Sequence, residues 1–292
     1  MPETTTKLPA QPAPGTTDGI VVPPRSLDEV RGWLKPADAF LMGWLLDRQN
    51  RLGQRGDVVE LGVFHGKSAI VIGHHLAEGD RFVVCDLFDQ VATETRARAD
   101  TWSYKGLTQT AFETNYLAFH ETLPEIVQGL SSGIVDHVAP ASCRFVHVDA
   151  SHFYEHVRVD IASARSILGQ DGVVVFDDYR SAHTPGTAAA VWEAMANDGL
   201  RVICVTDNKF YGTWGDAAAI RDDLAAELAT SGEYRFGMQS VMGQQLGRVT
   251  QKVVDRVPVE RPLWRRVAVA LVPPILLAPI RRRRRVAATS AR

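Results

Sequence analysis

Short apolar runs alternate with helical segments through the middle of the chain, and this alternation limits the fold more than any other feature. The runs lie at residues 57–61, 81–86, 125–129, 144–149, 172–177, 201–206 and 209–214. Apolar strands that alternate with helices indicate a parallel sheet covered on both faces. The last two runs flank Asp207-Asn208, a hairpin turn signal, so an antiparallel edge is expected. The sequence thus predicts a doubly wound α/β fold.

The segments on either side of this pattern differ in composition. Residues 1–24 are rich in Thr, Pro and Gly and contain few large apolar groups, so we expect a disordered leader. Residues 25–55 predict two helices packed on the core, one beginning at Leu27 with Ser26 as its N-cap and one over 37–52. We assign residues 56–248 to the main domain and residues 249–292 to a basic, partly apolar tail.

The formal net charge of −2 conceals a strong asymmetry. Nine arginines and no Lys, Asp or Glu lie between Arg261 and Arg292, so subtracting this +9 leaves −11 for residues 1–260. An acidic body argues against a nucleic-acid partner bound through bulk charge. The uncharged stretch 267–280 is too short and too rich in proline for a membrane-spanning helix. Residues 264–285 instead fit peripheral contact with anionic lipid, the alternatives being a disordered tail or a segment docked on the body or a partner.

The cysteines and the N-terminal residues indicate in which cellular compartment the protein is expected. Cys85, Cys143 and Cys204 each lie in or beside an apolar run, which indicates buried free thiols in a reducing environment. The N-terminus has no basic start followed by an apolar run, so no secretory signal is expected. We therefore expect a cytoplasmic protein, at the inner face of the membrane if the tail binds lipid, and a homo-oligomer.

A glycine-containing motif follows the first strand and opens a helix. It reads Glu60-Leu-Gly62-Val-Phe-His-Gly66-Lys-Ser68, and Asp86 ends the second strand 24 residues after Gly62. Glycines allow close backbone approach to a ligand, and an acid at Asp86 suits a ribose diol. The spacing is not the G-x-G-x-x-G of nicotinamide cofactor proteins, and Glu60 suits a ligand ammonium better than a pyrophosphate. This favours S-adenosylmethionine (SAM) over NAD, the alternative being a tight turn with no ligand.

Acidic residues also end the fourth and fifth strands. Asp149 is followed three residues later by His152, and Asp177-Asp178 follow the next strand. Neighbouring parallel strands would bring these carboxylates to one edge, where they repel one another unless a cation lies between them. Oxygen ligands without cysteine favour Mg²⁺, with Mn²⁺ or Ca²⁺ as substitutes, and His152 is placed to act as a general base. The alternatives are helix capping for the acids and core packing for the histidine.

Together these motifs resemble a known family. The E-x-G-x-x-x-G-x-S, D-x-x-H-x-Y, F-D-D-Y and P-G-x-x-x-A patterns look like the class I SAM-dependent methyltransferases of the macrocin O-methyltransferase type, over about residues 56–215. The resemblance implies a Rossmann-like, mostly parallel seven-stranded sheet with Mg²⁺ held at Asp149, Asp177 and Asp178 and a histidine base at His152. It implies SAM contacts at Glu60, Gly62, Gly66, Ser68, Asp86, Gly129, Leu130 and Ser131. The acceptor loop should lie within 90–115, with Trp102, Tyr104 and Lys105.

The function expected from residues and resemblance is a SAM- and Mg²⁺-dependent O-methyltransferase acting on a sugar or glycoside hydroxyl. The metal would hold two vicinal hydroxyls of the acceptor, and His152 would take the proton of one of them. One rival is a cephalosporin hydroxylase-like relative with the same acids, although a non-haem iron site usually needs two histidines and one carboxylate. Another rival is a non-catalytic SAM-fold scaffold tethered to the membrane by its tail.

Overall fold

A single mixed sheet forms the centre of the computed structural model, which describes residues 22–89 and 106–252. Its strands run β3-β2-β1-β4-β5-β7-β6-β9-β8 across the sheet. Their bounds are β1 (Asp57–Leu61), β2 (Phe82–Asp86), β3 (Glu125–Gln128), β4 (Cys143–Val148), β5 (Leu168–Phe176), β6 (Arg201–Val205), β7 (Phe210–Thr213), β8 (Tyr234–Val241) and β9 (Gln244–Gln251). Strands β1 to β5 pair in parallel, and β7 pairs antiparallel with both β5 and β6. The Rossmann-like α/β prediction, with its antiparallel hairpin, is confirmed.

The predicted number of seven strands is wrong, because the described residues form nine. The two additional strands are a hairpin, in which β9 pairs parallel with β6 and antiparallel with β8. Its turn is Met242-Gly243, and both residues have positive φ, 51° and 78°, as a tight hairpin turn requires. Strand β8 is largely exposed, so it lacks the apolar run that marks the central strands. The boundary predicted after residue 248 falls inside β9.

Helices cover both faces of the sheet. They are α1 (Pro36–Arg51), α2 (Lys67–Gly73), α3 (Gln109–Leu117), α4 (Tyr154–Ile167), α5 (Pro185–Asn197) and α6 (Ala217–Ala229), with short 3-10 helices at Leu27–Glu29 and Ser131–Asp136. One apolar cluster joins the sheet to α1, α2, α3 and α6, and a second joins its other face to α4 and α5. The alternating pattern of the sequence therefore produces three layers in the described residues, with the central strands buried between helices.

The N-terminal helices differ from the expectation in one respect. The helix predicted from Leu27 is only the 3-10 helix Leu27–Glu29, and the Ser26 side chain makes no capping hydrogen bond. Helix α1 begins at Pro36, where a fixed φ and a missing N–H suit the first helical position. It packs on the core as predicted, with Leu41, Leu45 and Leu46 buried.

Two further predictions concern cysteines and membrane spans. Cys85, Cys143 and Cys204 are free and buried, as expected. Across residues 22–89 and 106–252, none of the helices combines the length and apolar character needed to cross a bilayer. The predicted leader up to residue 21 and the tail from residue 253 lie outside the described residues.

Candidate active site

The carboxyl ends of β1, β4 and β5 meet at one edge of the sheet and are joined by hydrogen bonds. The backbone N–H of Asp149 donates to the carbonyl of Leu61 at 2.7 Å, and that of Asp177 donates to the carbonyl of Val148 at 3.0 Å. Each residue therefore leaves its strand beside the end of the neighbouring strand. This places Asp149, Asp177 and Asp178 at one edge, which we call the carboxylate rim.

His152 lies between two acids of the rim. Its Nε2 atom is 3.7 Å from Asp149 Oδ1 and 3.6 Å from Asp178 Oδ2. The atom is buried and has no hydrogen-bond partner among the described residues. The predicted convergence of Asp149, His152, Asp177 and Asp178 is thus present in the structure, while their chemical roles stay predictions.

A buried lysine that the sequence analysis did not select completes the rim. Lys209 is 2% exposed, and its Nζ atom lies 2.8 Å from Asp177 Oδ1 and 4.0 Å from Asp149 Oδ2. Asn208, in the preceding turn, donates from Nδ2 to Asp178 Oδ1 at 3.1 Å. The sequence feature that could have indicated Lys209 is its position as a single lysine at the start of an apolar strand, directly after the predicted turn Asp207-Asn208.

The electrostatics of the rim reflect its burial. Burial, together with the charge of Asp177, raises the pKa of Asp149 to about 6. Burial opposes the charge on Lys209, but the carboxylates of Asp177 and Asp149 outweigh it and raise the lysine pKa. Lys209 in turn holds the pKa of Asp177 below its usual value, against the effect of burial. One ammonium therefore stabilises part of a carboxylate cluster that remains net negative.

A second histidine also faces the rim. His183 Nε2 is 3.7 Å from Asp178 Oδ2, a distance close to that of His152, but the His183 side chain is 72% exposed. Two histidines therefore lie beside the rim acids, whereas the sequence predicted only His152 there.

The predicted metal site is not pre-formed in the rim. Among the side chains of the described residues, no three His, Cys, Asp or Glu groups are already gathered closely enough to hold a metal ion. The charge of the rim nevertheless suits a divalent cation. Its three carboxylates are balanced by a single ammonium, that of Lys209, so two units of negative charge remain. The orphaned His152 Nε2 lies where this excess is concentrated. Oxygen donors with this charge suit Mg²⁺ or a similar hard divalent ion.

The glycine-containing motif lies beside the rim, after β1. Gly62 has φ +80°, and a Cβ there would lie 2.2 Å from the backbone oxygen of Asp149. Gly66 has φ +91°, and its Cβ would lie 3.0 Å from the Phe112 ring. Packing of the fold therefore accounts for both glycines without a ligand. Their predicted contact with SAM rests on position alone.

Asp86 holds this loop through backbone hydrogen bonds. Its Oδ2 accepts from the N–H groups of Val63 at 2.8 Å and Phe64 at 3.0 Å, and its Oδ1 accepts from Phe88 at 2.7 Å. Burial raises the pKa of Asp86, and the three N–H donors oppose that shift. The structure thus gives Asp86 a loop-fixing role in addition to its predicted contact with a ribose.

Glu60 is fully buried at the base of the same loop. Ser68 Oγ donates to its Oε1 atom, and His147 Nδ1 lies 2.7 Å from the same oxygen. The other oxygen, Oε2, is buried and has no partner among the described residues. A carboxylate oxygen left in this state suits a positively charged ligand group such as an ammonium.

The segment predicted to lie near the adenine follows β3. The N–H of Gly129 donates to the carbonyl of Asp86 at 3.0 Å, which places Gly129, Leu130 and Ser131 beside the end of β2. Leu130 is 61% exposed. The acceptor loop was predicted within residues 90–115. Its part 90–105, with Trp102, Tyr104 and Lys105, lies outside the described residues, and residues 106–115 lead into α3.

Comparison with known proteins places this geometry in a class. Residues 59–179 match the family model described as a methyltransferase domain. The match runs from β1 through Tyr179 and contains Glu60, Asp86, Asp149, His152, Asp177 and Asp178. Residues 59–179 are therefore similar to a methyltransferase domain, which supports the predicted SAM-dependent methyltransferase class. The macrocin-type subclass is narrower than this match.

Solved structures with a similar chain path include three methyltransferases. The O-methyltransferase NovP is 16% identical, with a TM-score of 0.49, over 62% of this chain and 80% of its own. CalS11, a TDP-rhamnose 3'-O-methyltransferase of calicheamicin biosynthesis, is 17% identical, with a TM-score of 0.42, over 63% and 82%. MycE, solved with Mg, SAH and mycinamycin VI, is 17% identical, with a TM-score of 0.43, over 64% and 52%. No curated protein sequence matches the chain.

Proposed function

We propose that the protein transfers the methyl group of SAM to a hydroxyl oxygen of a sugar or glycoside, with a divalent cation at the carboxylate rim. The observation that carries the proposal is the convergence of Asp149, Asp177, Asp178 and His152 beside the glycine-containing loop of a methyltransferase domain. Such an edge can hold a polar acceptor next to a cofactor bound over β1 to β3.

The cofactor half of the site has one polar group without a partner. Glu60 Oε2 is available to an ammonium, while the Oε1 atom is fixed by Ser68 and His147. Asp86 has lone pairs that its backbone hydrogen bonds do not use, and these would accept hydrogen bonds from the ribose hydroxyls. Leu130 would pack against the adenine. These assignments favour SAM, which carries an ammonium, over NAD, which does not.

The rim half would hold the cation and the acceptor. Asp149, Asp177 and Asp178 would bind Mg²⁺, with Mn²⁺ or Ca²⁺ as substitutes, since two units of negative charge remain after Lys209 is counted. A bound divalent cation lowers the pKa of a hydroxyl that coordinates it. A cation held at the rim would bind two vicinal hydroxyls of an acceptor, which is why we propose a saccharide.

His152 would act as the general base. Its Nε2 atom has no hydrogen-bond partner among the described residues and lies between two carboxylates, so it can take the proton of the acceptor hydroxyl as that oxygen attacks. Because the sulfonium methyl is already activated, the remaining work of the protein is to position the two reactants.

One rival function is favoured by a specific observation. His152 and His183 both lie within 3.7 Å of Asp178 Oδ2, so the residue types of a non-haem iron site are neighbours, although they are not gathered closely enough to hold a metal ion as they stand. A hydroxylase-like relative would use them to bind Fe²⁺. The methyltransferase domain match and the exposure of His183 favour methyl transfer.

Calorimetry on the full chain tests the proposal. We expect SAM to bind and NAD not to bind, and Mg²⁺ to bind independently of SAM. Methyl transfer to members of a saccharide panel should then require Mg²⁺ and should stop when EDTA is added. Binding of NAD instead of SAM, or transfer that EDTA does not affect, would contradict it, and Fe²⁺-dependent oxidation of the acceptor would support the rival.

The tail supplies a separate proposal about location. Residues 264–285 combine Trp264 with arginines on both sides of an apolar stretch, which suits anionic lipid at the inner face of the cell membrane. Flotation with phosphatidylglycerol vesicles, and not with phosphatidylcholine vesicles, is the expected result. Equal recovery with both vesicle types would contradict it.

A further inference from the structure

Lys209 is surrounded by ionisable groups from several elements. Its Nζ atom contacts Asp177 Oδ1 at 2.8 Å, His147 Nε2 at 2.9 Å and Asp149 Oδ2 at 4.0 Å. The negative charge of Asp38, on α1, also favours the charged form of Lys209. The side chain is 2% exposed, so water cannot replace these contacts. The ammonium is therefore fixed beneath the rim.

His147 holds the ammonium in place. An ammonium can only donate hydrogen bonds, so His147 Nε2 must accept from Lys209. The ring proton then lies on Nδ1, which donates to Glu60 Oε1 at 2.7 Å. His147 is thus a neutral link between Lys209 and Glu60, and both it and Glu60 are completely buried.

The oxygen that Lys209 contacts already receives two donors. Asp177 Oδ1 accepts from the ammonium at 2.8 Å and from Asn208 Nδ2 at 3.4 Å. A divalent cation at the rim would have to share or displace these donors.

We propose that Lys209 is a positioning residue that holds Asp177 and competes with the divalent cation for that carboxylate, so that the ammonium sets how tightly the rim binds metal. This inference rests on the proposed function, because it takes the rim as the cation site. It goes beyond that function by assigning a residue that neither touches the acceptor nor coordinates the metal.

The direction of the effect follows from charge. A unit positive charge a few ångströms from the cation weakens its binding, and burial reduces the screening of this repulsion. Replacing Lys209 with methionine keeps most of the side-chain volume and removes the charge. The affinity for Mg²⁺ should therefore rise at least about tenfold. A lysine that only stabilised the fold would leave the affinity unchanged or lower it.

The test is calorimetric titration of Mg²⁺ into the full-length wild-type protein and the Lys209→Met variant. Lys252→Met is the matched control, since Lys252 is a partly buried lysine whose Nζ donates to the Ser231 carbonyl, far from the rim in the sheet order. We expect tighter binding in Lys209→Met and an unchanged affinity in Lys252→Met. Equal or weaker binding in Lys209→Met would overturn the proposal.

The outcomes separate this inference from the proposed function. If Mg²⁺ binds Lys209→Met but not the wild type, the inference is supported and the metal requirement of the proposed function fails. If Mg²⁺ binds both proteins equally, the inference fails and the metal site stands. If Mg²⁺ binds neither protein, both are rejected.

Thermal unfolding covers the case in which Lys209→Met folds poorly. Because the cation and the ammonium would compensate for the same carboxylates, Mg²⁺ should raise the melting temperature of Lys209→Met, and of Lys209→Gln, more than that of the wild type. Failure of both variants to fold at saturating Mg²⁺ would overturn the proposal.

Discussion

The two halves of the sheet edge balance their buried carboxylates in different ways. In the half formed by β1 to β3, Asp86 accepts three backbone N–H bonds from the loop it holds. In the half formed by β4 and β5, the rim acids face side chains, namely Lys209, Asn208 and His152. Backbone donors are present whatever the sequence, whereas side-chain donors depend on a few residues.

The fold therefore fixes the conformation of the half at β1 to β3. In the half at β4 and β5, a bound ligand can change the charge balance. Gly62 and Asp86 are explained by packing and backbone hydrogen bonds, so the cofactor half is largely pre-formed. The rim keeps excess negative charge and an unpartnered His152 Nε2. We therefore expect substitutions in the rim to affect the reaction and substitutions in the loop to affect stability and cofactor binding.

The largest effect is expected for Asp149→Ala, which removes one acid of the rim and one neighbour of His152. Methyl transfer should fall by at least about 10⁴-fold, because cation and base are both misplaced. SAM binding, measured by calorimetry, should stay close to wild type. Asp171→Ala, at an exposed position of β5, is the control. Loss of SAM binding in Asp149→Ala would mean that the two halves are not separate.

His152→Ala tests the base. Its rate constant for methyl transfer should fall by about 10³-fold with little change in SAM affinity, because a positioned general base contributes this much. His183→Ala is a matched control, since His183 lies at a similar distance from Asp178 but is mostly exposed. If both variants lost activity equally, His183 would have to be counted as part of the site, as the iron-dependent rival requires.

Gly62→Ala tests whether the cofactor half is fixed by packing. A left-handed backbone and a Cβ placed 2.2 Å from the Asp149 carbonyl oxygen should lower the free energy of unfolding by about 3 kcal/mol or more. Gly53→Ala has a similar φ of +70° with nothing within 4 Å, so urea unfolding should show a loss of only about 1 kcal/mol. Similar losses in the two variants would assign the whole effect to backbone strain.

Asp160→Asn examines a buried acid of α4. Asp160 lies on α4 with its side chain buried, and burial raises its pKa to about 6, with Ser131 opposing only part of the shift. The folded state then binds this proton more tightly than the unfolded state, so the aspartate costs stability as pH rises from about 4 to 6. Asp160→Asn should be more stable than wild type by about 2 to 3 kcal/mol at pH 8 and nearly equal to it at pH 4.

Urea unfolding at the two pH values measures this difference. Asp222→Asn, an exposed aspartate on α6, should change stability little at either pH. A stability gain of Asp160→Asn that was the same at pH 4 and pH 8 would show that ionisation is not its cause.

The smallest effect is expected for Glu60→Gln. It retains the shape and one oxygen acceptor but loses the charge offered to an ammonium, so the affinity for SAM should fall about tenfold. The affinity for Mg²⁺ should not change. Glu125→Gln, at the exposed start of β3, is the control. An unaltered SAM affinity in Glu60→Gln would show that Glu60 does not contact the cofactor as predicted.

Residues at the ends of strands could be predicted because their placement follows from a local rule. Once 57–61, 144–149 and 172–177 were identified as parallel strands, Asp149 and Asp177 had to leave the sheet at the same edge. The hairpin β8–β9 could not be found in this way, since an exposed edge hairpin has no continuous apolar run. The Leu27 helix was misjudged because a capping residue indicates where a helix can begin but not that tertiary contacts will extend it.

The amino-acid sequence by itself determined the doubly wound sheet and the meeting of three acids and His152 at its edge, because strand periodicity and chain direction are local properties. Only the tertiary structure decided which charge balances those acids. Glu60 and His147 are 87 positions apart in the chain, and His147 and Lys209 are 62 positions apart. No local pattern records that these three residues touch, and their contact depends on side chains from β1, β4 and the β6–β7 turn region packing into one buried space.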